Sequence, residues 1–296
     1  VVSANKKMIA EHHLELIELS QKHNVSFLYE AAVCGSVPII RNLEEYFDND
    51  LLNSVQGIVN GSTNFILCKM FNEGQAYTNA LRDAQQNGFA ESNPFLDVEG
   101  IDASYKLSII GLHAFGKNIE AHQILRKGIT ALQPFDFQYA REKESVIKLI
   151  AKATVNEKGE LESLSVLPTF VPKSGIFGQT NNEYNGVLVG STLADEQFFY
   201  GKGAGRFPTS SAVLSDISAF TYNYKYAYKK GLTSFTPNYN QSGKYYVAVQ
   251  NNGHLDKTLF LNIDEEFTSA NHNSTIGKIK QSVLLESGLL DNPGIS

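Results

Sequence analysis

The chain has 296 residues, 42% of them hydrophobic and 19% charged, enough apolar material for one large or two ordinary domains. A net charge of −6 with no Lys/Arg run argues against nucleic acid or an anionic membrane as partner. No apolar stretch approaches the roughly 20 residues of a membrane span, no signal-peptide pattern opens the chain, and the two cysteines, Cys34 and Cys68, make no disulfide framework. The expectation is therefore a reduced, cytoplasmic setting.

In chain order, residues 1–6 read as a strand end entering a turn. Residues 7–23, with apolar Met8, Ile9, Leu14, Ile17 and Leu19, read as an amphipathic helix. Val25 to Tyr29 is a short strand, followed by a Gly/Pro-punctuated loop from Ala32 to Pro38 and a helix over 39–47. Val55 to Val59 is strand-like and ends in the turn pair Asn60-Gly61; Ser62, Thr63 and Asn64 can cap a helix running through Phe71. A second helix over 77–87 stops at Gly88. After a polar stretch at 89–100, residues 101–115 form an apolar helix ended by Gly116. Strand-type runs at Val146 to Val155, Leu161 to Phe170, Gly186 to Val189 and Phe198 to Tyr200 point to an antiparallel or mixed sheet. A long helix starts near Thr209. Phe220, Tyr222, Tyr224, Tyr226 and Tyr228 alternate at its end and read as packing residues. The C-terminal part opens on a strand, Tyr245 to Val249, and carries a helix near 276–287.

Chemistry concentrates in Ala90 to Lys106. Asp102 and Lys106 are four residues apart and share one helix face. Asp102 sits at the helix start, where its charge suits the dipole. An Asp beside a Lys keeps the Lys charged and oriented, and a charged Lys can donate a proton to a carbonyl oxygen becoming an alkoxide. Glu91 and Asp97 lie in the preceding loop and can turn over the same face, where acids would bind a substrate ammonium. The alternative is a surface helix with an ordinary ion pair. The seven histidines form no zinc pattern, and His12-His13 reads as a solvated helix face. There is no Gly-x-Ser-x-Gly and no phosphate-binding P-loop.

Residues 90–106 resemble the substrate-binding signature of the homoserine dehydrogenase family, in which Glu, Asp, Gly-x-Asp and Lys recur at these spacings. Four further segments are similar in the same order: Val1 to Lys6 (V-V-T-A-N-K in the family), Glu30 to Ile40 (E-A-x-V-x-x-x-x-P-I-I), Gly57 to Asn64 (G-I-x-N-G-T-T-N), and Gly203-Ala204-Gly205 through Val213. The resemblance implies NAD(P)H-dependent reduction of L-aspartate 4-semialdehyde to L-homoserine, on the threonine and methionine pathways. It makes Lys106 the proton donor, and Glu91 and Asp102 the substrate-binding acids with Asp97 supporting them. It turns Lys6 toward both cofactor and substrate; without the resemblance Lys6 would be a solvated strand-end lysine. Gly88, Gly203 and Gly205 become cofactor contacts. Glu30 with the carbonyls of Val33, Gly35 and Val37 becomes a site for a monovalent cation, Na+ by preference, the alternative being a plain tight turn. Cys34 stands where the family has Gly or Ala.

The resemblance also implies the fold class, α/β plus α+β. Residues 1–28 would be a remnant of a Rossmann-type nucleotide-binding domain. Residues 29–200 would be a mixed-sheet substrate, catalytic and dimerisation domain, and 201–235 a return segment to the nucleotide domain. Residues 240–296 would be a small appendage of ACT-like length; there Asn251-Asn252-Gly253-His254-Leu255 replaces the expected Pro-Gly-Val-Leu, so ACT identity stays open. Partners would be the small-molecule substrate and a second copy in a homodimer. The family's G-x-G-x-x-G loop is absent, so the expectation is that the first half of the nucleotide domain is missing and that this chain alone binds dinucleotide poorly. Another small oxo-acid dehydrogenase, or a non-catalytic amino-acid-binding module, are the rival readings; Glu91 with Asp102, suited to an ammonium-bearing substrate, tells against the first.

Overall fold

The computed structural model describes residues 1–235, 239–250, 253, 255–268 and 272–296. The helices in chain order are α1 (Lys6–Glu11), α2 (His13–Lys22), α3 (Ile40–Glu45), α4 (Gly61–Glu73), α5 (Tyr77–Gln86), α6 (Phe95–Val98), α7 (Ile101–Phe115), α8 (Pro134–Glu142), α9 (Ile176–Gln179), α10 (Arg206–Ala219) and α11 (Gln281–Glu286). The strands are β1 (Leu52–Ile58), β2 (Lys117–Asn118), β3 (Leu125–Arg126), β4 (Ser145–Val155), β5 (Leu161–Pro172), β6 (Tyr184–Ser191), β7 (Glu196–Lys202), β8 (Thr233–Ser234), β9 (Ser242–Gln250), β10 (Asn262–Thr268) and β11 (His272–Lys280).

Six strands form one sheet in the order β3-β5-β4-β1-β6-β7. Every pairing is antiparallel except the short β3–β5 contact, so the sheet is mixed. Val146 to Ala151 of β4 are buried without interruption, which removes the alternation expected of a half-solvated strand. The covering elements include α7, which is apolar nearly all round and buried along most of its length. Its exit needs a glycine: Gly116 has φ 65°, and a Cβ there would lie 2.5 Å from the Gly231 carbonyl oxygen. The C-terminal residues form a separate antiparallel sheet, β10-β11-β9, whose apolar cluster reaches the large sheet through Leu125. A cleft of about 700 Å³ lies between the two sheets, lined by Ser165, Leu167, Tyr245, Val247 and Leu284. No described helix is long and apolar enough to cross a membrane.

Four local expectations change. The helix over 7–23 breaks at His12 (φ −131°, ψ 29°). The break turns His13 inward: it is 3% exposed, neither ring nitrogen has a hydrogen-bond partner among the described residues, and burial pulls its pKa down to about 3. His13 is thus a core residue rather than part of a solvated face. The strand at 25–29 shrinks to one parallel bridge, Val2 to Leu28. The cap of α4 is Asn60, whose Oδ1 accepts the Thr63 N–H at 2.9 Å, and not Ser62 to Asn64. Residues 276–280 are strand where a helix was expected. Ile276 and Ile279 have helical spacing, but β9 and β10 pair with this segment from both sides, and the helix begins only at Gln281. Asn251, Asn252 and His254 lie outside the described residues.

Candidate active site

The start of α7 meets the end of β1 and the start of α1. Gly100, in left-handed conformation (φ 73°), lets the chain turn from α6 into α7 and puts Asp102 in the first turn, facing inward. Asp102 is 2% exposed and carries two lysines: Lys106 Nζ lies 2.7 Å from Oδ2, and Lys6 Nζ 2.9 Å from Oδ1. Asn60 donates to the same carboxylate at 2.8 Å and to Asp97 at 2.7 Å. Burial alone would push the Asp102 carboxyl up, but Lys106 and Lys6 outweigh it and hold its pKa at about 2. Burial would likewise lower Lys106; Asp102 outweighs it and holds Lys106 above the ordinary lysine range. Asp97, half-buried, is pushed up by burial against the Asn60 hydrogen bond. Lys106 Nζ also donates to the Val59 carbonyl at 2.7 Å. An ammonium has three N–H donors, so one remains beyond the contacts to Asp102 and the Val59 carbonyl.

Lys6, Asp97, Asp102 and Lys106 are therefore gathered into one cluster. Glu91 is not: its side chain is exposed, and among the described residues only its main-chain carbonyl is engaged, by Gln85 at 3.0 Å. Gly88 has φ 75°, and the space beside its Cα is open. Gly205 (φ 113°) heads α10, and a Cβ there would have only Pro208 within 4 Å. Gly203 differs. A Cβ at that position would run into the Asn185 amide at 2.0 Å, so this glycine answers to internal packing. The main chain is thus open to close approach at Gly88 and Gly205, and the Lys6 side chain is 43% exposed.

The loop before α3 is rigid for several reasons at once. Cys34 and Gly35 are both left-handed (φ 54° and 52°), and a Cβ on Gly35 would lie 2.6 Å from the Gly203 carbonyl oxygen. Ser36 donates to the Lys202 carbonyl from N (3.2 Å) and Oγ (3.0 Å). The Glu30 carboxylate caps α3, accepting Ile40 N–H and Arg41 N–H, each at 2.9 Å. Burial raises its pKa to about 7 despite those two bonds. Among the described residues the Val33 and Gly35 carbonyls accept no hydrogen bond, whereas the Val37 carbonyl accepts Ile39 N–H at 2.9 Å. The Val33 and Gly35 carbonyls are oxygens of the kind a hard cation takes, and the Glu30 carboxylate already accepts two N–H bonds. No group of three or more His, Cys, Asp or Glu among the described residues could hold a metal.

Sequence reasoning missed three residues. Asn60, inside a quoted motif, proves to be both helix cap and hydrogen-bond bridge between Asp97 and Asp102. Asn185 is fully buried with neither amide atom hydrogen-bonded among the described residues, and nothing in its local sequence marks it. His113, late in α7, is pinned between Glu44 Oε1 (2.6 Å) and the Tyr29 hydroxyl (2.9 Å); the contacts cross 69 and 84 residues, so no local pattern announces them.

The family model for homoserine dehydrogenase matches residues 38–218. The homoserine dehydrogenase of Lactococcus lactis is 42% identical over 217 residues, which are 73% of this chain and 50% of that protein. A solved homoserine dehydrogenase from Thiobacillus denitrificans superposes with a TM-score of 0.83 at 28% identity, over 100% of this chain and 74% of that one. A hyperthermophilic archaeal homoserine dehydrogenase, solved in complex with NADPH, gives a TM-score of 0.65 at 27% identity, over 76% of this chain and 65% of that one. The chain spans about half the length of the curated relatives it matches.

Proposed function

The chain belongs to the homoserine dehydrogenase family, and we propose that it forms the substrate-binding and catalytic part of an enzyme reducing L-aspartate 4-semialdehyde to L-homoserine with NAD(P)H, in cytoplasmic threonine and methionine biosynthesis. The observation that carries this reading is Lys106: buried, held protonated, tied by two contacts to Asp102 and the Val59 carbonyl, with a further N–H to offer. Bound NAD(P)H would supply the hydride, and Gly88, Gly203, Gly205 and Lys6 are the residues to hold it, Gly203 indirectly because its own Cβ position is filled by Asn185. Lys106 then protonates the oxygen as it gains negative charge. Lys6 adds a second positive charge on the other carboxylate oxygen of Asp102, which favours the developing alkoxide.

The acids divide their work. Asp102 lies against two lysines and Asn60, so in this reading it orients the lysines and reaches the substrate through them. Glu91, exposed and uncommitted, and Asp97, tied only through Asn60, take the substrate ammonium. A monovalent cation, Na+ by preference, sits on the carbonyls of Val33, Gly35 and Val37 beside Glu30 and locks the loop to the Gly203 turn. Sodium should then raise the melting temperature more than equal tetramethylammonium; identical melting in both salts would remove the ion. We retain the division into 1–28, 29–200, 201–235 and an ACT-like 240–296, with a homodimer through the mixed sheet.

The test joins the chain at Val1 to the dinucleotide-binding half of the Lactococcus lactis relative. The product should oxidise L-homoserine, whereas the 296 residues alone, lacking a G-x-G-x-x-G loop, should not. In the joined protein, Glu91→Gln should raise KM for homoserine about tenfold or more and leave KM for the nucleotide within about twofold. A folded, dinucleotide-binding product without homoserine oxidation would overturn the proposal.

A further inference from the structure

Roughly two turns along α4 from its Asn60 cap, Cys68 faces Lys148 of β4. Lys148 is 2% exposed, and its Nζ donates to three acceptors: the Thr180 carbonyl at 2.7 Å, Asn64 Oδ1 at 2.9 Å and Cys68 Sγ at 3.2 Å. None of these is a carboxylate. A buried lysine without an acid is expensive to keep charged, and burial pulls Lys148 below the ordinary lysine range. On losing its proton Lys148 keeps two N–H donors, enough for Thr180 and Asn64, and its lone pair, a nucleophile, can turn to the Cys68 sulfur.

Both residues line a cleft of about 210 Å³, together with Phe71, Lys173, Gln179 and Asn181. That is several times the roughly 30 Å³ share of one water molecule, so a reagent the size of hydrogen peroxide can enter. The other thiol of the chain, Cys34, does not line this cleft. An oxidised Cys68 therefore meets an amine before it meets a second thiol. No residue of the pair belongs to the lysine–aspartate cluster, so the inference stands apart from the proposed reaction.

We propose that Cys68 and Lys148 are an oxidative cross-linking site, in which a peroxide joins Sγ to Nζ. In the first step the thiol attacks one peroxide oxygen, the O–O bond breaks, and sulfenic acid and water form; sulfur is oxidised by two electrons and the peroxide reduced by two. In the second, the Lys148 amine attacks sulfur. An S–N bond forms, the S–O bond breaks, and hydroxide leaves as water with a proton taken from nitrogen. The sum is thiol plus amine plus hydrogen peroxide giving a sulfenamide and two waters. The 3.2 Å starting separation needs no rearrangement of α4 against β4. A dithiol reductant reverses the bond.

The experiment treats the purified chain with a small excess of hydrogen peroxide, blocks free thiols with iodoacetamide, denatures without reductant, and maps tryptic peptides by mass spectrometry. The expected product is a peptide pair joined through Cys68 and Lys148, about 2 Da lighter than the two reduced peptides together. Cleavage after Lys148 should be lost in that fraction, and dithiothreitol should restore both peptides. In Lys148→Arg, Cys68 should instead over-oxidise to sulfinic acid, about 32 Da heavier. Recovery of wild-type Cys68 only as blocked thiol or sulfinic acid, with cleavage after Lys148 intact, would overturn the proposal. The wild-type map decides by itself if Lys148→Arg fails to fold.

Discussion

Lys106 and Lys148 are both buried, at 8% and 2% exposure, and both point an ammonium nitrogen into protein. Burial acts on them in the same sense, and yet Lys106 is held above the ordinary lysine range and Lys148 below it. The difference is one carboxylate. Lys106 has Asp102 four residues earlier on the same helix face, at 2.7 Å. Lys148 has only neutral acceptors, Asn64, Thr180 and Cys68. An acid at contact distance in a low-dielectric setting outweighs desolvation; uncharged oxygens and sulfur do not. The first arrangement favours the charged lysine, and the second makes its proton easier to lose.

The comparison breaks most visibly in catalysis. With the chain joined to a dinucleotide-binding half, Lys106→Ala should lower kcat about 10²–10⁴-fold, the usual worth of general-acid assistance. Turnover within about threefold of the unsubstituted protein would remove Lys106 from the chemistry.

Stability sharpens it next. Asp102→Asn leaves Lys106 buried without its counter-charge, and unfolding free energy by urea should fall by about 3 kcal/mol. Acid should do the same gradually. Because the Asp102 carboxyl is held at about 2 against an unfolded value of 3.8, it contributes stability above pH 4. That contribution, about 2 kcal/mol, is lost as pH falls through the folded value. Asp102→Asn should flatten this acid limb; an unchanged limb would mean other carboxylates carry it.

The smallest effect tests the other lysine. Since the folded pKa of Lys148 is lowered, the unfolded chain binds the extra proton, and the resulting stability cost eases as pH rises toward 10.5. Lys106 has the opposite sign: its contribution is full below 10.5 and fades above. As pH rises toward 10.5, the stability of wild type relative to Lys148→Met should therefore rise. A pH-independent difference would show Lys148 equally protonated in both states.

The spacing of Asp102 and Lys106 and the apolar run of α7 were legible because helix geometry is local. So were the mixed sheet and the glycine stops at Gly88 and Gly116, which answer to alternation and backbone freedom. The motif resemblance running from Val1 to Val213 placed the family. Reading failed where distant chain decides. The strand at Ile276 yields to pairing with β9 and β10, and Asn60 reaches Asp102 across 42 residues. Nor did the sequence announce that the Glu30 carboxylate caps α3 by accepting Ile40 and Arg41 N–H, since a helix N-terminus arrives with unpaired N–H groups.

By itself, then, the sequence determined that Asp102 and Lys106 share a helix face, since i and i+4 neighbours meet in any α-helix. Only the tertiary structure decided that Lys6 closes on the same carboxylate across 96 residues, that Asn60 bridges two acids, and that Lys148 has no acid at all. The physical reason is that side-chain periodicity reports on neighbours within a turn or two, whereas the sign of a buried charge is set by whichever partner the packing of distant elements brings within about 3 Å.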